Sequence, residues 1–309
     1  MTKLWSPICE RLGIENPIFG FAHDVKAVAA ITNAGGYGVY GATRRFPHEI
    51  KEELAAIRKL VGDKAFGVDL VLPPGMPEHN SREAIEAEIP EEHKAFVEKL
   101  IDKFQVPAAT QPGMRTRFIR STEIEEEQIQ AVLDSSVDMF ACGIGAPAHV
   151  MKAAKARGKT TLALIGSPHH VKRAIDAGVE ILVAQGYDAG AHTGPIGTYS
   201  LVPQIVDAAG DTPVLVAGGV ATGRHIAAAL AMGAQGVWMG TAWLLSKEHQ
   251  GHMHPVNTEK LMAAGSGDTV ITRSESGKTF RQVRTGWSQA WEAEDAPAPL
   301  KMPYQDVLV

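Results

Sequence analysis

One histidine, His192, sits in the run AQGYDAGAHTGPIG (184–197), with Gly190, Ala191 and Gly194 around it and a short apolar segment before it. Imidazole is the side chain whose ordinary protonation change falls between about pH 5 and 8, which suits proton transfer or hydrogen bonding near neutrality. Glycine removes side-chain bulk and opens backbone angles that other residues resist. Together they describe a surface where a ligand approaches the main chain closely, with a titratable ring at its edge. A histidine that only satisfies loop backbone groups is the rival reading.

A second concentration lies in TPVLVAGGVATGRHIAAALAMGAQGVWMGTAWL (212–244). An apolar strand ends at Gly218-Gly219, a helix opens near Gly223-Arg224, and another strand ends at Gly240-Thr241. Unpaired N–H groups and the positive end of a helix dipole hold phosphate well, so this pair of loops points to a phosphate-bearing ligand. Arg224 would add charge or face solvent. Other candidates carry less. His249, His252 and His254 in HQGHMH lack the carboxylate or cysteine spacing of a metal site and read as solvated loop histidines, so no metal is expected. His169 and His170 would start a helix near the phosphate or only cap it. Cys142 reads as packing, and Trp238 and Trp243 as packing against neighbouring helices. Tyr187 and Tyr199 flank the histidine loop and are candidates to gate a substrate.

These residues need a scaffold, and one pattern supplies it. Alanine-rich helical segments alternate with short apolar strands at 17–22, 37–41, 65–73, 137–145, 160–166, and before Gly186, Gly219 and Gly240. Continuous apolar strands separated by helices mark a parallel sheet covered on both faces. Eight of them, most with glycine at the C-terminal end, predict an α/β (β/α)8 TIM barrel with its site on that face; a doubly wound open sheet is the rival. Two excursions depart from the pattern. An insertion at about 74–136 reads as helical over 83–104, divided by Pro90, irregular over 107–120, and helical again over 121–136 with Ser121 or Thr122 as cap. The extension 246–309 holds a helix near 257–270 and a Pro-rich, charged end. The expected division is therefore a barrel over 1–245 and a C-terminal extension over 246–309 that forms a cap or small second lobe on the substrate side.

Composition bounds the function. The 309 residues are 45% hydrophobic and 21% charged, with a formal charge of −5. That balance, without a basic run, argues against nucleic acid as a partner. Two cysteines, Cys9 and Cys142, provide no disulfide framework. No run approaches the roughly 18 apolar residues of a membrane span, and the opening MTKLWSPICERLG lacks the apolar core of a secretion signal, so a cytoplasmic setting is expected.

The stretches AQGYDAGAHTG and VLVAGGVATGRHIAAALAMGAQGVWMGT resemble the nitronate monooxygenases, once called 2-nitropropane dioxygenases. These are FMN-dependent (β/α)8 enzymes whose fold is shared by flavin-dependent enoyl-ACP reductases and some NAD(P)H:quinone reductases. The likeness runs through most of 15–245, including NPIFGFA, NAGGYGVYGA and GVDLVLP, and fades in 74–136 and after about 285. The resemblance implies FMN, with its phosphate at Gly218, Gly219, Gly240 and Thr241. It places Gln185, Ala22 and the backbone of Gly190, Ala191 and Gly194 against the flavin. His192 would stand beside the reactive side as base or as a hydrogen bond to substrate. Three departures stand out. Ala191 replaces a usual glycine. Strand one ends in FAHD where many relatives have Ala-Pro-Met, so His23 would line the pocket or cap the next helix with Asp24. Asp69 stands where relatives commonly carry asparagine toward the ring, and a carboxylate cannot donate to a flavin acceptor unless protonated.

Three functions are then open. The first is an FMN-dependent monooxygenase oxidising alkyl nitronates with O2 to a carbonyl compound and nitrite. The second is an NAD(P)H-dependent flavin reductase acting on a quinone or enoyl thioester. The third is a non-redox barrel that binds a phosphorylated metabolite. A small-molecule substrate is common to all, and a homodimer is left open.

Overall fold

The computed structural model of the protein describes residues 4–110, 113 and 117–309. Residues 111, 112 and 114–116 of the stretch expected to be irregular, and the side chain of His252, lie outside the described residues. The chain divides into two compact units, one of residues 1–74, 126–189 and 193–259, the other of residues 75–125, 190–192 and 260–309.

The first unit is the expected (β/α)8 barrel. Its helices are α1 (Pro7–Leu12), α2 (Val25–Asn33) and α3 (Pro47–Val61) in the first part of the chain. The insertion carries α4 (Arg82–Glu88) and α5 (Glu91–Phe104), and α6 (Thr122–Leu133) continues from it into the barrel. Then follow α7 (Ala148–Ala156), α8 (Val171–Asp176), α9 (Thr198–Ala209), α10 (Gly223–Ala231), α11 (Pro255–Ala263), α12 (Gly286–Trp291) and α13 (Tyr304–Leu308). The strands are β1 (Ile18–Ala22), β2 (Tyr37–Gly41), β3 (Gly67–Val71), β4 (Met139–Ile144), β5 (Thr160–Ile165), β6 (Ile181–Gln185), β7 (Ala191–His192), β8 (Val214–Ala217), β9 (Gly236–Met239), β10 (Thr269–Thr272) and β11 (Phe280–Val283). All but β7, β10 and β11 form the closed parallel ring, sealed where Ile18 pairs with Val237 and Gly20 with Met239.

Side chains alternate across each strand. One set (Val68 and Leu70 of β3, Cys142 of β4, Leu182 and Ala184 of β6) packs outward under the helices. The other (Phe19, Tyr37, Met139, Leu162, Ile181 and their successors) fills the barrel interior. Ile8 and Cys9 of α1 join that interior cluster, beside residues from the N-terminal ends of the strands. That end is plugged, so the barrel is a packed core and a ligand must use the other face. Trp238 belongs to the interior, stacked on Phe21 at 5.7 Å between ring centroids, and not to the helix layer as its sequence context suggested. Trp243 does pack against the outer cluster, its indole N–H donating to the Met239 carbonyl at 2.6 Å.

Local chemistry starts the helices as expected. Asp24 Oδ1 accepts from the N–H groups of Lys26 (2.7 Å) and Ala27 (3.3 Å), and Ser121 Oγ accepts from Ile124 at 3.3 Å. Pro90 separates α4 from α5. On α3, Ile50, Leu54, Ile57 and Val61 recur at helical spacing and are buried.

The second unit has its own small core. β10, β11 and β7 form an antiparallel sheet. Trp291 of α12 packs edge-on against Phe96 of α5, with centroids 4.9 Å apart, and beside Trp287. His93 bonds the Ala298 carbonyl through Nε2 at 2.9 Å. Arg120 donates to Glu125 at 3.1 Å, both buried. Removal of the pair from water pushes the Glu125 pKa up to about 6, with Arg120 opposing the rise.

The packing of α3 yields a paired test. Ile57 is fully buried and Leu60, on the same helix, is 50% exposed. Ile57→Ala is expected to lower unfolding free energy by about 2–5 kcal/mol, and Leu60→Ala by no more than about 0.5 kcal/mol. Urea denaturation checks both, and equal losses would contradict the assigned face.

Candidate functional site at the strand ends

At the C-terminal ends of β6 and β8 the main chain is bare because side chains would not fit. A Cβ on Gly186 would lie 2.2 Å from Thr198 Oγ1 and 2.4 Å from Thr198 Cα, so glycine there lets the start of α9 press against the end of β6. Gly218 and Gly219 both have positive φ, +110° and +70°, a region closed in practice to most side chains. A Cβ on Gly219 would meet only Asp188 Cβ at 3.4 Å, one on Gly240 only Phe21 at 3.7 Å, and one on Gly223 nothing within 4 Å. Bare backbone beside open space fits an anionic group. Asp188 accepts the Thr198 N–H at 2.8 Å through Oδ2, and Thr198 Oγ1 is buried without a hydrogen-bond partner.

The N-terminus of α10 contributes less than the sequence suggested. The N–H groups of Ala221 and Thr222 already donate to His225 Nδ1, at 3.1 and 3.2 Å. That leaves the Gly218–Val220 turn and the first helical amides for a ligand. Arg224 is exposed, as is Thr241.

Below this cradle the interior is polar. Asp69 faces inward, since its neighbours Val68 and Leu70 pack outward. It is 4% exposed, accepts the Gly143 N–H, and keeps Oδ1 without a partner. Burial holds its pKa well above the usual carboxylate range, against the smaller effect of the Gly143 bond. Gln185 occupies the next inward place after Val183 and pairs in register with Ala217, half-buried at the mouth. Ala22 sends its methyl into the outer cluster, so it offers only main chain. His23 lies in the concavity that side-chainless Gly41 leaves, its ring edge-on to Phe21 at 4.9 Å. Its Nδ1 bonds the Gly41 carbonyl at 2.9 Å. A carbonyl only accepts, so Nδ1 carries the proton and Nε2 presents a lone pair. Loss of hydration lowers the His23 pKa; the Gly41 bond opposes this, while His249 and Arg45 add repulsion.

The histidine loop is built differently. Gly190–His192 belongs to the second unit, where β7 pairs with β11 and His192 faces Phe280. The rings meet edge-on at 5.0 Å, and Nε2 lies 2.7 Å from the Oγ of buried Ser276. Ala191 has φ +67°, a left-handed conformation that costs a non-glycine residue on the order of 1–2 kcal/mol. The structure thus holds His192 by a strand pairing, an aromatic edge and a hydroxyl. Gly194 lies in the first unit, packed on Gly166 so closely that a Cβ would be 2.8 Å from the Gly166 carbonyl oxygen. Tyr187 and Tyr199 are 41% and 80% exposed.

Sequence reasoning did not single out Thr198, Asp188, His225, Ser276 or Phe280. For Thr198 a signal existed, a hydroxyl directly after Gly197 at a helix start; for Ser276, 84 positions from His192, none did. His249 is buried and not solvated, its pKa lowered by burial and partly restored by Asp24. His254 accepts the Val256 N–H through Nδ1 at 3.3 Å as a local cap. Among the described residues no cluster of histidine, cysteine and carboxylate suits a metal, and no helix is long and apolar enough to cross a membrane.

A (β/α)8 barrel with bare main chain at the C-terminal ends of its strands is a scaffold on which many enzymes bind phosphate-bearing ligands. The family model described as nitronate monooxygenase matches residues 8–308. The chain belongs to the nitronate monooxygenase family and is a flavin-dependent oxidoreductase. A Mycobacterium tuberculosis protein named provisionally as a monooxygenase, without a substrate, is 41% identical, the alignment taking in 98% of this chain and 82% of that one. A Staphylococcus aureus protein named provisionally as a nitronate monooxygenase is 28% identical over 94% of this chain and 82% of its own. Nitroalkane oxidase from Streptomyces ansochromogenes superposes with a TM-score of 0.78 at 23% identity, over 97% of this chain and 84% of its own, a likeness of fold.

The cradle gives a direct test. Gly186→Ala forces backbone against backbone, so we expect a loss of about 1–3 kcal/mol in stability together with weaker flavin binding. Thermal melts and flavin-fluorescence titration read the two effects, and wild-type affinity in a folded variant would remove Gly186 from the site.

Proposed function

We propose that the protein is an FMN-dependent nitronate monooxygenase that takes small alkyl nitronates and O2. The observation that carries this reading is the bare turn at Gly218-Gly219 beside Gly186 and Thr198, which suits the phosphate of a flavin mononucleotide. Gly240 and Thr241 extend the same cradle, and Gln185, Asp69 and the main chain of Ala22 serve the ring system. FMN, when bound, supplies the electron chemistry that takes nitronate and O2 to a carbonyl compound and nitrite. The protein's own residues position, shield and handle protons. We assign the proton-handling role to His192, oriented by Ser276 and Phe280, with the main chain of Gly190, Ala191 and Gly194 shaping the loop. Neutral, its imidazole accepts a proton from a nitroalkane; protonated, it steadies the nitronate charge. Neutral His23 lines the substrate side as an acceptor, and Tyr187 and Tyr199 stand as exposed gating candidates.

Anaerobic stopped-flow reduction tests the assignment. Bleaching of bound FMN by an alkyl nitronate, faster than by NADH or NADPH, is the expected result. Rapid reduction by NAD(P)H and none by nitronate would assign the chain to the reductase alternative. His192→Asn is expected to retain FMN while turnover falls by roughly 10²-fold or more; unchanged turnover would leave His192 a loop-packing residue.

A further inference from the structure

Asp69, set among the residues that serve the ring system, has a buried carboxyl whose chemistry its surroundings define. Asp69 lies on β3 in register with Gly41 of β2 and Ala141 of β4, and its carboxyl accepts the N–H of Gly143, two residues nearer the mouth than Ala141. The side chain therefore extends toward the open end of the barrel. Glycine at 143 makes this possible, because a Cβ there would sit 3.1 Å from Oδ2. Oδ1 has no hydrogen-bond partner, although the residue is 4% exposed.

An unpaired carboxylate in such a place would carry a buried charge with one N–H to steady it, which is costly. Among the described residues no cation offsets it. The titratable neighbour on β4 is Cys142, a fully buried thiol whose pKa is itself raised by burial and by Asp69. On β2 the register partner Gly41 carries no side chain, and the His23 ring that fills its space has its pKa lowered from the usual imidazole value. A carboxylic acid that keeps its proton meets all of this. One oxygen accepts from Gly143, and the other, as O–H, has a proton to give and no acceptor among the described residues.

We propose that Asp69 is a neutral carboxylic acid that donates its O–H to a ring acceptor of the flavin, a carbonyl oxygen or an unprotonated ring nitrogen, so that this site binds a flavin through a proton the protein carries. The inference rests on the FMN reading above and adds the donor, its protonation state and its direction. Oxidised flavin offers such acceptors, and electron density on them rises on reduction. A neutral donor thus strengthens its bond as the cofactor is reduced, where a carboxylate would oppose that charge.

Two measurements on the purified protein test it. Difference infrared spectroscopy at neutral pH is expected to show the carbonyl stretch of a protonated carboxylic acid, lost in Asp69→Asn and restored to a carboxylate signal only at alkaline pH. FMN titration followed by flavin fluorescence is expected to show affinity weakening by about tenfold or more between neutral and strongly alkaline pH in the wild type. In Asp69→Asn, whose amide donates at every pH, the dependence should shrink to about twofold. Absence of the acid band, or a wild-type affinity as flat as the variant's, overturns the proposal. Affinity that rises with pH overturns it too, since it would make Asp69 a carboxylate accepting a ring N–H. The band present with no FMN bound at any pH refutes the FMN reading and the donor role with it, while leaving the buried acid itself demonstrated. Should Asp69→Asn fail to fold, the wild-type band and pH titration decide alone.

Discussion

A Cβ on Gly186 would lie 2.2 Å from the Thr198 hydroxyl, and Gly218 and Gly219 turn the chain at φ values of +110° and +70°. Bare main chain at these three positions is the constraint on which the site depends. It lets α9 begin against the end of β6 and leaves the amides of the following turn uncovered. The interior beneath follows from side-chain volume. Near the plugged end the barrel is filled by Phe19, Tyr37 and Met139; near the mouth the inward places fall to Gly41, Gly143 and Ala217. Large apolar residues fill one end, while toward the other the small inward residues leave room for the His23 ring and the Asp69 carboxyl, beside the stacked pair Phe21 and Trp238. Asp69 and Gln185 are the polar side chains at inward places near this end of the strands.

The barrel was legible in the sequence because the strands are short, largely apolar runs, most of them closed by a glycine, and the helices between them carry apolar residues at helical spacing. The cradle was legible for the same reason, since Gly218-Gly219 falls where an apolar strand stops. Other features had no local signature. A continuous apolar run does not say which of its residues point inward, so only the strand register places Trp238 inside the barrel. The strand pairing at His192 joins two residues to a partner strand some ninety positions away, a non-local contact that a two-residue strand cannot announce. Nor does an alanine at 191 announce a left-handed backbone. His225 accepts two helix-start amides on the surface, a competition for hydrogen bonds that spacing alone left open.

His192 and the cradle illustrate two ways of fixing a functional group. The cradle is made of residues with nothing to add beyond their backbone, held in place by the barrel ladder. His192 depends on a hydroxyl, an aromatic edge and a strained neighbour. The hydroxyl and the aromatic edge come from Ser276 and Phe280, far along the chain from His192.

The central claim, that main-chain groups at the strand ends grip a phosphate, is tested most directly by comparing FMN with riboflavin, which has the same ring and no phosphate. If the cradle acts as described, equilibrium titration should show FMN binding tighter by about 10²-fold or more, the value of two or three charge-assisted hydrogen bonds. Equal affinity for the two would contradict the account, since the ring alone would then be doing the binding.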